Sequence, residues 1–240
     1  MEGESVSAGI YHQFGDYAYV QENPDLNPKK AVHYSISYDS VKDEDAFRIT
    51  LYNKRYINLF LFEGNRVTNN GYGYARGSEL FIKRNRNSYD LIFVYNFLSS
   101  KRKEEGILSL ARSPYEIDHS FTAIFTLKRG YDSIGIRWSY ASGLPYTPSL
   151  GNEWDEERRI YKPIWGDPLS KRYPPYRRVD ISGKKVMKLA GRMFVLYIGI
   201  MNIFNHKNTL RYEYSEDFSS QRTIGSIFSR TFFFGFYSPF

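Results

Sequence analysis

The sequence contains no cysteine. That absence excludes disulfides, thiolate catalysis and cysteine-ligated zinc. It leaves the compartment open, because many exported proteins also lack cysteine. No run of 18 or more apolar residues occurs, so no segment is long and apolar enough for a transmembrane helix. No stretch carries a convincing helical stripe either. The opening residues Met1-Glu2-Gly3-Glu4-Ser5 are acidic and polar, whereas a secretory signal needs a basic and then an apolar region. If the chain is an outer-membrane barrel, its export signal is expected upstream. The net charge of +7 lacks the companion that nucleic-acid binding requires, a reading helix or a known binding motif. Lys and Arg are spread along the chain, and the dense Lys101-Arg102-Lys103 is followed at once by Glu104-Glu105. Nucleic acid is not expected as a partner.

Aromatic residues are abundant. Tyr (22), Phe (18) and Trp (3) make up 18% of the chain, against a hydrophobic fraction of 42%. Aromatics favour strands and gather at membrane–water interfaces. Modest overall hydrophobicity with many aromatics suits a barrel in which only alternate residues meet lipid. The period-two pattern is explicit in 134–140, where Ile134, Ile136, Trp138 and Tyr140 alternate with Gly135, Arg137 and Ser139. Weaker alternation marks 89–97, 120–127 and 34–39. Successive strand side chains point to opposite faces, so each segment has one more apolar and one more polar surface.

About ten such segments are expected, near 4–13, 31–41, 46–60, 71–84, 88–99, 118–128, 132–143, 177–188, 192–205 and 221–240. Their connections alternate in length. Short polar turns are expected at 42–45, 84–87, 129–132 and 189–192, and longer connections at 14–30, 61–70, 100–117, 144–176 and 206–220. Short turns on one side and long loops on the other describe an outer-membrane barrel. The fold class read from this pattern is all-β, an antiparallel up-and-down transmembrane meander. The chain closes on Thr231-Phe232-Phe233-Phe234-Gly235-Phe236-Tyr237-Ser238-Pro239-Phe240, with Phe232, Phe234, Phe236 and Phe240 on one parity.

Several motifs, in order, resemble those of the TonB-dependent receptors. Asn23-Pro24-Asp25-Leu26-Asn27-Pro28-Lys29 resembles the family's NPDLKPE stretch, with Lys29 and Lys30 in place of the acidic residue, and His33-Tyr34-Ser35-Ile36-Ser37-Tyr38 resembles the strand after it. Gly73-Tyr74-Ala75-Arg76-Gly77-Ser78-Glu79 is similar to a G-x-A-x-G-x-E strand. Ser142-Gly143-Leu144-Pro145-Tyr146-Thr147-Pro148, Arg178-Val179-Asp180 and Asn202-Ile203-Phe204-Asn205 are similar to SGxPYTP, RxD and NLFN. The terminal aromatic strand is also like those that close bacterial outer-membrane barrels.

The resemblance implies a 22-stranded barrel filled by a plug domain. Residues 1–240 would form its C-terminal portion, with the plug, the TonB-contacting segment and the signal peptide absent. It implies uptake of a scarce solute (a metal chelate, a vitamin or a glycan), powered through TonB at the bacterial outer membrane. Implied partners are outer-membrane lipid, the remainder of the receptor, TonB through that remainder, and the small solute. The residues leave two alternatives open: a self-contained ten-stranded outer-membrane pore or surface enzyme, and a soluble β-sandwich.

No catalytic, cofactor or metal site is expected, and the chain reads as a non-enzyme. Asp118-His119-Ser120 looks like hydrolase chemistry only until strand geometry puts neighbours on opposite faces. The acidic run Glu153, Asp155, Glu156 and Glu157 lacks ligand spacing and reads as a solvated loop. Lumen-facing candidates are Glu79, Asp90, Arg137, Arg178 and Asp180, with Lys184 beside them, because charge facing lipid is costly. The small row Gly73, Ala75 and Gly77 should share that face and leave room for a plug or a packed loop. Candidate ligand contacts in the long loop are Tyr146, Trp154, Tyr161, Trp165 and Tyr173, with Tyr176 at its end, since aromatics bind ligands by stacking and apolar burial.

Overall fold

The computed structural model describes residues 9–14, 17–22, 26–63, 66–104, 106–189, 191–226 and 229–238. Among them there is no helix, and the strands in chain order are β1 (Gly9–Phe14), β2 (Tyr17–Glu22), β3 (Lys30–Lys42), β4 (Asp45–Glu63), β5 (Arg66–Asn85), β6 (Tyr89–Glu104), β7 (Ile107–Arg112), β8 (His119–Arg129), β9 (Asp132–Ala141), β10 (Pro145–Tyr146), β11 (Ser149–Asp155), β12 (Ile160–Trp165), β13 (Lys171–Arg172), β14 (Tyr176–Leu189), β15 (Arg192–Met201), β16 (Thr209–Tyr214), β17 (Gln221–Gly225) and β18 (Thr231–Tyr237).

One large sheet carries the architecture. Its order is β18-β15-β14-β9-β8-β6-β5-β4-β3, with β7 added to the outer part of β6. Every pairing is antiparallel, and each strand neighbours the next main-sheet strand in sequence. The expected meander is therefore present. Its short turns fall where polar and glycine residues predict them, and Asp43, Gly130 and Gly191 there adopt positive φ of 54°, 59° and 80°. Such turns favour Gly, Asn and Asp because the left-handed region penalises other side chains. Among the described residues no ladder joins β3 to β18, the two ends of the path.

Three sequence expectations need correction. Of the segment near 4–13 the described part is 9–13: among the described residues β1 pairs with β2, and the main path ends on β3. The last expected strand, 221–240, divides into β17, paired with β16, and β18. The connections at 61–70 and 100–117 are largely strand. β4 and β5 run for 19 and 20 residues and β6 for 16, against the roughly 9–11 that cross a bilayer. Toward these outer ends the apolar–polar alternation fades, so the sequence there reads as loop. The terminal Phe240, the opening Met1–Ser5 and the motif residues Asn23, Pro24 and Asp25 lie outside the described residues.

The register sorts side chains by face, since directly paired residues of an antiparallel ladder project the same way. Leu91, Phe93 and Tyr95 pair with Phe125, Ala123 and Phe121. These pair in turn with Ile136, Trp138 and Tyr140. The row continues through Val179 and Ile181 of β14 and Ile198 and Ile200 of β15 to Phe234 and Phe232 of β18. This apolar face is open: Ile36 is 70% exposed and Phe234 86%. Among the described residues the buried aliphatic side chains are Leu59, Leu61 and Ala75, too few for the core of a soluble sandwich.

Two glycines of the face opposite the apolar row lie under an aromatic ring of the neighbouring strand. Gly77 lies under Tyr52 of the adjacent β4, and a Cβ there would collide with that ring's hydroxyl and with the Phe97 carbonyl. Gly199 lies under Phe233 in the same way. At these two positions the space over the glycine is filled from within the sheet, by an aromatic on the next strand.

Candidate functional site

The charged candidates all occupy the face opposite the apolar one. Glu79 pairs with Asn96, Asp90 with Thr126, and Arg137 with both Ile124 and Asp180. Arg178 lies opposite Ser139 and Lys184 opposite Ser133.

Within this face the roles divide. Asp90 accepts from Lys128 Nζ at 2.8 Å, and the same ammonium reaches Asn85 Oδ1 at 2.9 Å. Arg178 Nε donates to Asp180 Oδ1 at 2.6 Å. That oxygen also accepts the backbone N–H of Asn202 at 2.8 Å. Asn202, 1% exposed, closes a ring with His206, donating from Nδ2 to its carbonyl at 3.0 Å and accepting its N–H at 2.9 Å. Asn202 and Asn205 both have φ of 51°, a conformation Asn tolerates better than most residues. The motifs 178–180 and 202–205 are thus two halves of one device that ends β15 and ties it to β14. Asn208 extends the tie, exchanging two hydrogen bonds with the Arg177 backbone at 2.8 and 3.0 Å. Glu79 and Arg137 differ from the rest: both are exposed, and neither makes an ion pair within the described residues. Arg137 Nε reaches Ser139 Oγ at 3.3 Å. Two grooves of about 280 and 330 Å³ flank Arg137 and Arg178 on this face.

The long connection 144–176 is organised as two nested hairpins, β10 with β13 and β11 with β12. Tyr146 stacks on Tyr173 with centroids 4.6 Å apart, and both meet Tyr212 of β16, at 5.3 and 5.2 Å. Burial pushes the Tyr146 and Tyr173 hydroxyls above the ordinary tyrosine pKa. Trp165 forms a second group with Tyr214 and Phe218. Trp154 and Tyr161 face each other across the β11–β12 hairpin. The five loop candidates therefore separate into three clusters, only the first of which pairs two of them with a partly buried third ring.

Polar contacts lock these hairpins together. Asn152 Nδ2 donates to the Asp217 carbonyl at 2.6 Å. Hydrogen bonds from Ser215 Oγ and from Ser219 hold the Asp217 carboxyl down at about 2. Glu116, 2% exposed, accepts the Ser100 N–H at 2.7 Å and Arg172 Nη2 at 2.8 Å. Arg172 also reaches Asp118 at 2.5 Å and the carbonyls of Glu116 and Gly143. The sequence analysis missed Glu116, Arg172 and Tyr212. Nothing local marks an isolated acid in a polar stretch as the residue a distant arginine will bury.

The triad-like run separates as strand geometry requires. His119 Nδ1 lies 2.8 Å from the Tyr95 hydroxyl, Ser120 Oγ accepts from Asn96, and Asp118 is held by Arg172. In the acidic run, Asp155 caps its own turn by accepting the Glu157 and Arg158 N–H groups at 3.0 Å, and it pairs with Lys162. The Lys162 ammonium is the largest cause of its lowered pKa. Among the described residues no group of three or more acidic or histidine side chains could hold a metal.

The fold is a known one. It is similar to the ferric-catecholate import receptor Fiu from E. coli K12 in its closed form, with a TM-score of 0.63 and 14% identity over 89% of this chain and 28% of that one. It is also similar to the FrpB iron transporter from Neisseria meningitidis, with a TM-score of 0.57 and 13% identity over 88% of this chain and 31% of that one. Identities this low establish the fold alone, and the chain spans less than a third of either protein's length. No curated protein sequence matches. Residues 3–203 match the family model for the TonB dependent receptor-like β-barrel. With most of its length so matched, the chain belongs to the TonB-dependent receptor β-barrel family.

Proposed function

We propose that this chain is the C-terminal portion of a receptor barrel in the bacterial outer membrane, and that the whole receptor takes up a scarce solute with energy delivered through TonB. The observation that carries this reading is the two-faced register. Nine main-path strands keep one face apolar over its lower part, and the charged candidates lie on the other. On this reading the charged face lines the lumen. Asp90, Arg178 and Asp180 hold the wall together, while Glu79 and Arg137 are free to meet the plug or the passing solute.

An iron chelate is the solute class favoured here. Fiu is described as a ferric-catecholate import receptor and FrpB as an iron transporter. The Tyr146–Tyr173–Tyr212 cluster supplies stacked aromatic surface at the outer mouth, suited to a planar aromatic ligand. The test is uptake of radioactive iron chelates by cells expressing the receptor that contains this chain. Uptake should vanish when TonB is deleted. Y146A together with Y173A should raise the half-saturation concentration while leaving the amount of receptor in the membrane unchanged. Uptake that is indifferent to TonB would refute the reading. Conductance of the isolated chain in a planar bilayer would favour the self-contained ten-stranded pore instead.

A further inference from the structure

The face that is apolar near the short turns changes character toward the loop end. On β4 it runs Phe47, Ile49, Leu51 and then Asn53 and Arg55. On β5, read from the turn, it runs Ile82, Leu80, Ser78 and then Arg76, Tyr74 and Tyr72. On β6 it runs Leu91, Phe93, Tyr95, Phe97 and then Ser99, Lys101 and Lys103. The ladder aligns these ends. Val32, Arg55, Tyr74, Lys101 and Arg112 form one continuous row across β3 to β7. Tyr72 and Lys103 are paired in the row above, and Asn53, Arg76 and Ser99 in the row below. Neighbouring strands lie about 4.8 Å apart, so Arg55, Arg76, Lys101 and Lys103 fall within one patch.

This patch is uncompensated. Along these stretches of β4, β5 and β6 no acidic residue shares the face: Glu79 projects to the opposite side, and so does Glu104, which lies by Arg102. Arg55, Lys101 and Lys103 make no ion pair within the described residues, and Arg55, Arg76 and Lys101 are exposed. Arg76 lies over the Tyr74 ring at 4.8 Å and donates Nε to Asn53, leaving its two terminal nitrogens open. Arg112, at the end of the row, is the one of these cations with an acidic partner among the described residues, Glu116, and it also donates to the Ser170 carbonyl. Some exposed basic residues at the opposite end do carry partners. At the turn end Arg84 and Arg86 meet Asp45, and Lys185 meets Asp132.

A cluster of cations and tyrosines set directly above an apolar band is the surface that an anionic lipid headgroup fits. We infer that Arg55, Arg76, Lys101 and Lys103 form a binding site for the phosphorylated glycolipid of the outer leaflet, lipopolysaccharide. Its phosphates sit among the four cations, and its acyl chains lie on the Leu51, Leu80 and Phe97 band below. This rests on the outer-membrane reading above, which places the loop end at the outer leaflet. Arg supplies paired donors matched to phosphate geometry, and Lys supplies point charge.

The experiment uses the receptor that contains this chain, purified in detergent from outer membranes, with lipopolysaccharide quantified by mass spectrometry before and after chelation of divalent cations. The comparison variant is R55Q/R76Q/K101Q/K103Q. A control, K184Q/K188Q, neutralises lysines of the opposite face near the turn end. The wild type and the control should retain lipopolysaccharide after chelation. The quadruple variant should bind added lipopolysaccharide at least about tenfold more weakly, as expected when several headgroup–cation contacts are lost. All three should reach the outer membrane and show the same heat-modifiable mobility, which separates loss of the site from loss of folding. Equal binding by the quadruple variant and the wild type would overturn the proposal and leave the barrel reading intact. So would equal displacement by phosphatidylglycerol vesicles, which would mean a site for any anionic lipid. A wild-type receptor absent from the outer membrane would overturn both.

Discussion

The sheet wall and its outer end are stabilised in opposite ways. Along the wall, large apolar side chains such as Ile136, Trp138 and Phe234 stand exposed, and the backbone ladder does the joining. At the outer end the buried polar side chains Ser100, Ser113, Glu116, Asn202 and Asn208 appear, and those of Glu116, Asn202 and Asn208 are held by hydrogen bonds. On the outer-membrane reading the wall depends on its solvent: lipid would cover the apolar face, and a ladder without unpaired groups is what hydrocarbon demands. The outer end lies in water, where long hairpins keep a fixed shape only by burying polar contacts among themselves. The difference teaches that one register can serve two solvents, provided the network changes where the solvent does.

The largest expected effect comes from breaking the buried network. R172A leaves the desolvated Glu116 with only the more distant Arg112 as a cation, and losing the partner of a buried charge typically costs about 3–5 kcal/mol. Hydrogen exchange in the assembled receptor should quicken across 113–118 and 142–175 while β8 and β9 stay protected. Uniform loosening of the wall would mean that the two regions are not distinct. Next comes a charge on the apolar face. I136R should cost about 2–4 kcal/mol if the position sits near the midplane, read as lost folding equilibrium in vesicles. R137I, one residue away, should cost far less, and equal costs would erase the distinction between faces.

The pH dependence is local to the outer end. The Asp217 carboxyl is lowered to about 2 by Ser215 and Ser219, so its stabilising contribution is fully present above the ordinary carboxylate pKa of about 3.9. It is lost only as pH falls through about 2. Trp165 packs against Tyr214 and Phe218 beside this turn. With Trp138 and Trp154 replaced by Phe, its fluorescence should hold steady from pH 7 to about 4 and change on approach to 2. A transition centred near 4 would show that the Ser215 cap does not form. The smallest effect belongs to Glu213, whose pKa is lowered chiefly by Arg222 in an exposed pair. E213Q should leave loop proteolysis unchanged within error, since exposed pairs contribute little.

The wall was legible in the sequence because lipid forces alternation onto it. Ile134, Ile136, Trp138 and Tyr140 announce both a strand and its face, and Asp43, Gly130 and Gly191 mark its turns. Only the outer tips of β4, β5 and β6, residues 61–63, 66–70 and 100–104, read as loop, because there the alternation fades. The first strand differs from expectation because, among the described residues, β1 pairs with β2, a local partner that the sequence does not mark. In the site, the motifs at 178–180 and 202–205 were recognisable, yet their joining through Asp180 and Asn202 depends on a contact across 22 residues. Glu116 and Arg172, 56 apart, left no local trace.

The central claim is that β8 and β9 present alternate residues to lipid and to an aqueous lumen. Single cysteines from Ile134 to Ser139, placed in the receptor in native outer membranes, test it with a lipid-soluble and a water-soluble thiol reagent. The expected result is alternation: Ile134, Ile136 and Trp138 labelled from lipid, and Gly135, Arg137 and Ser139 from water. Labelling of Arg137 from lipid and Ile136 from water, or uniform labelling from water, would contradict it.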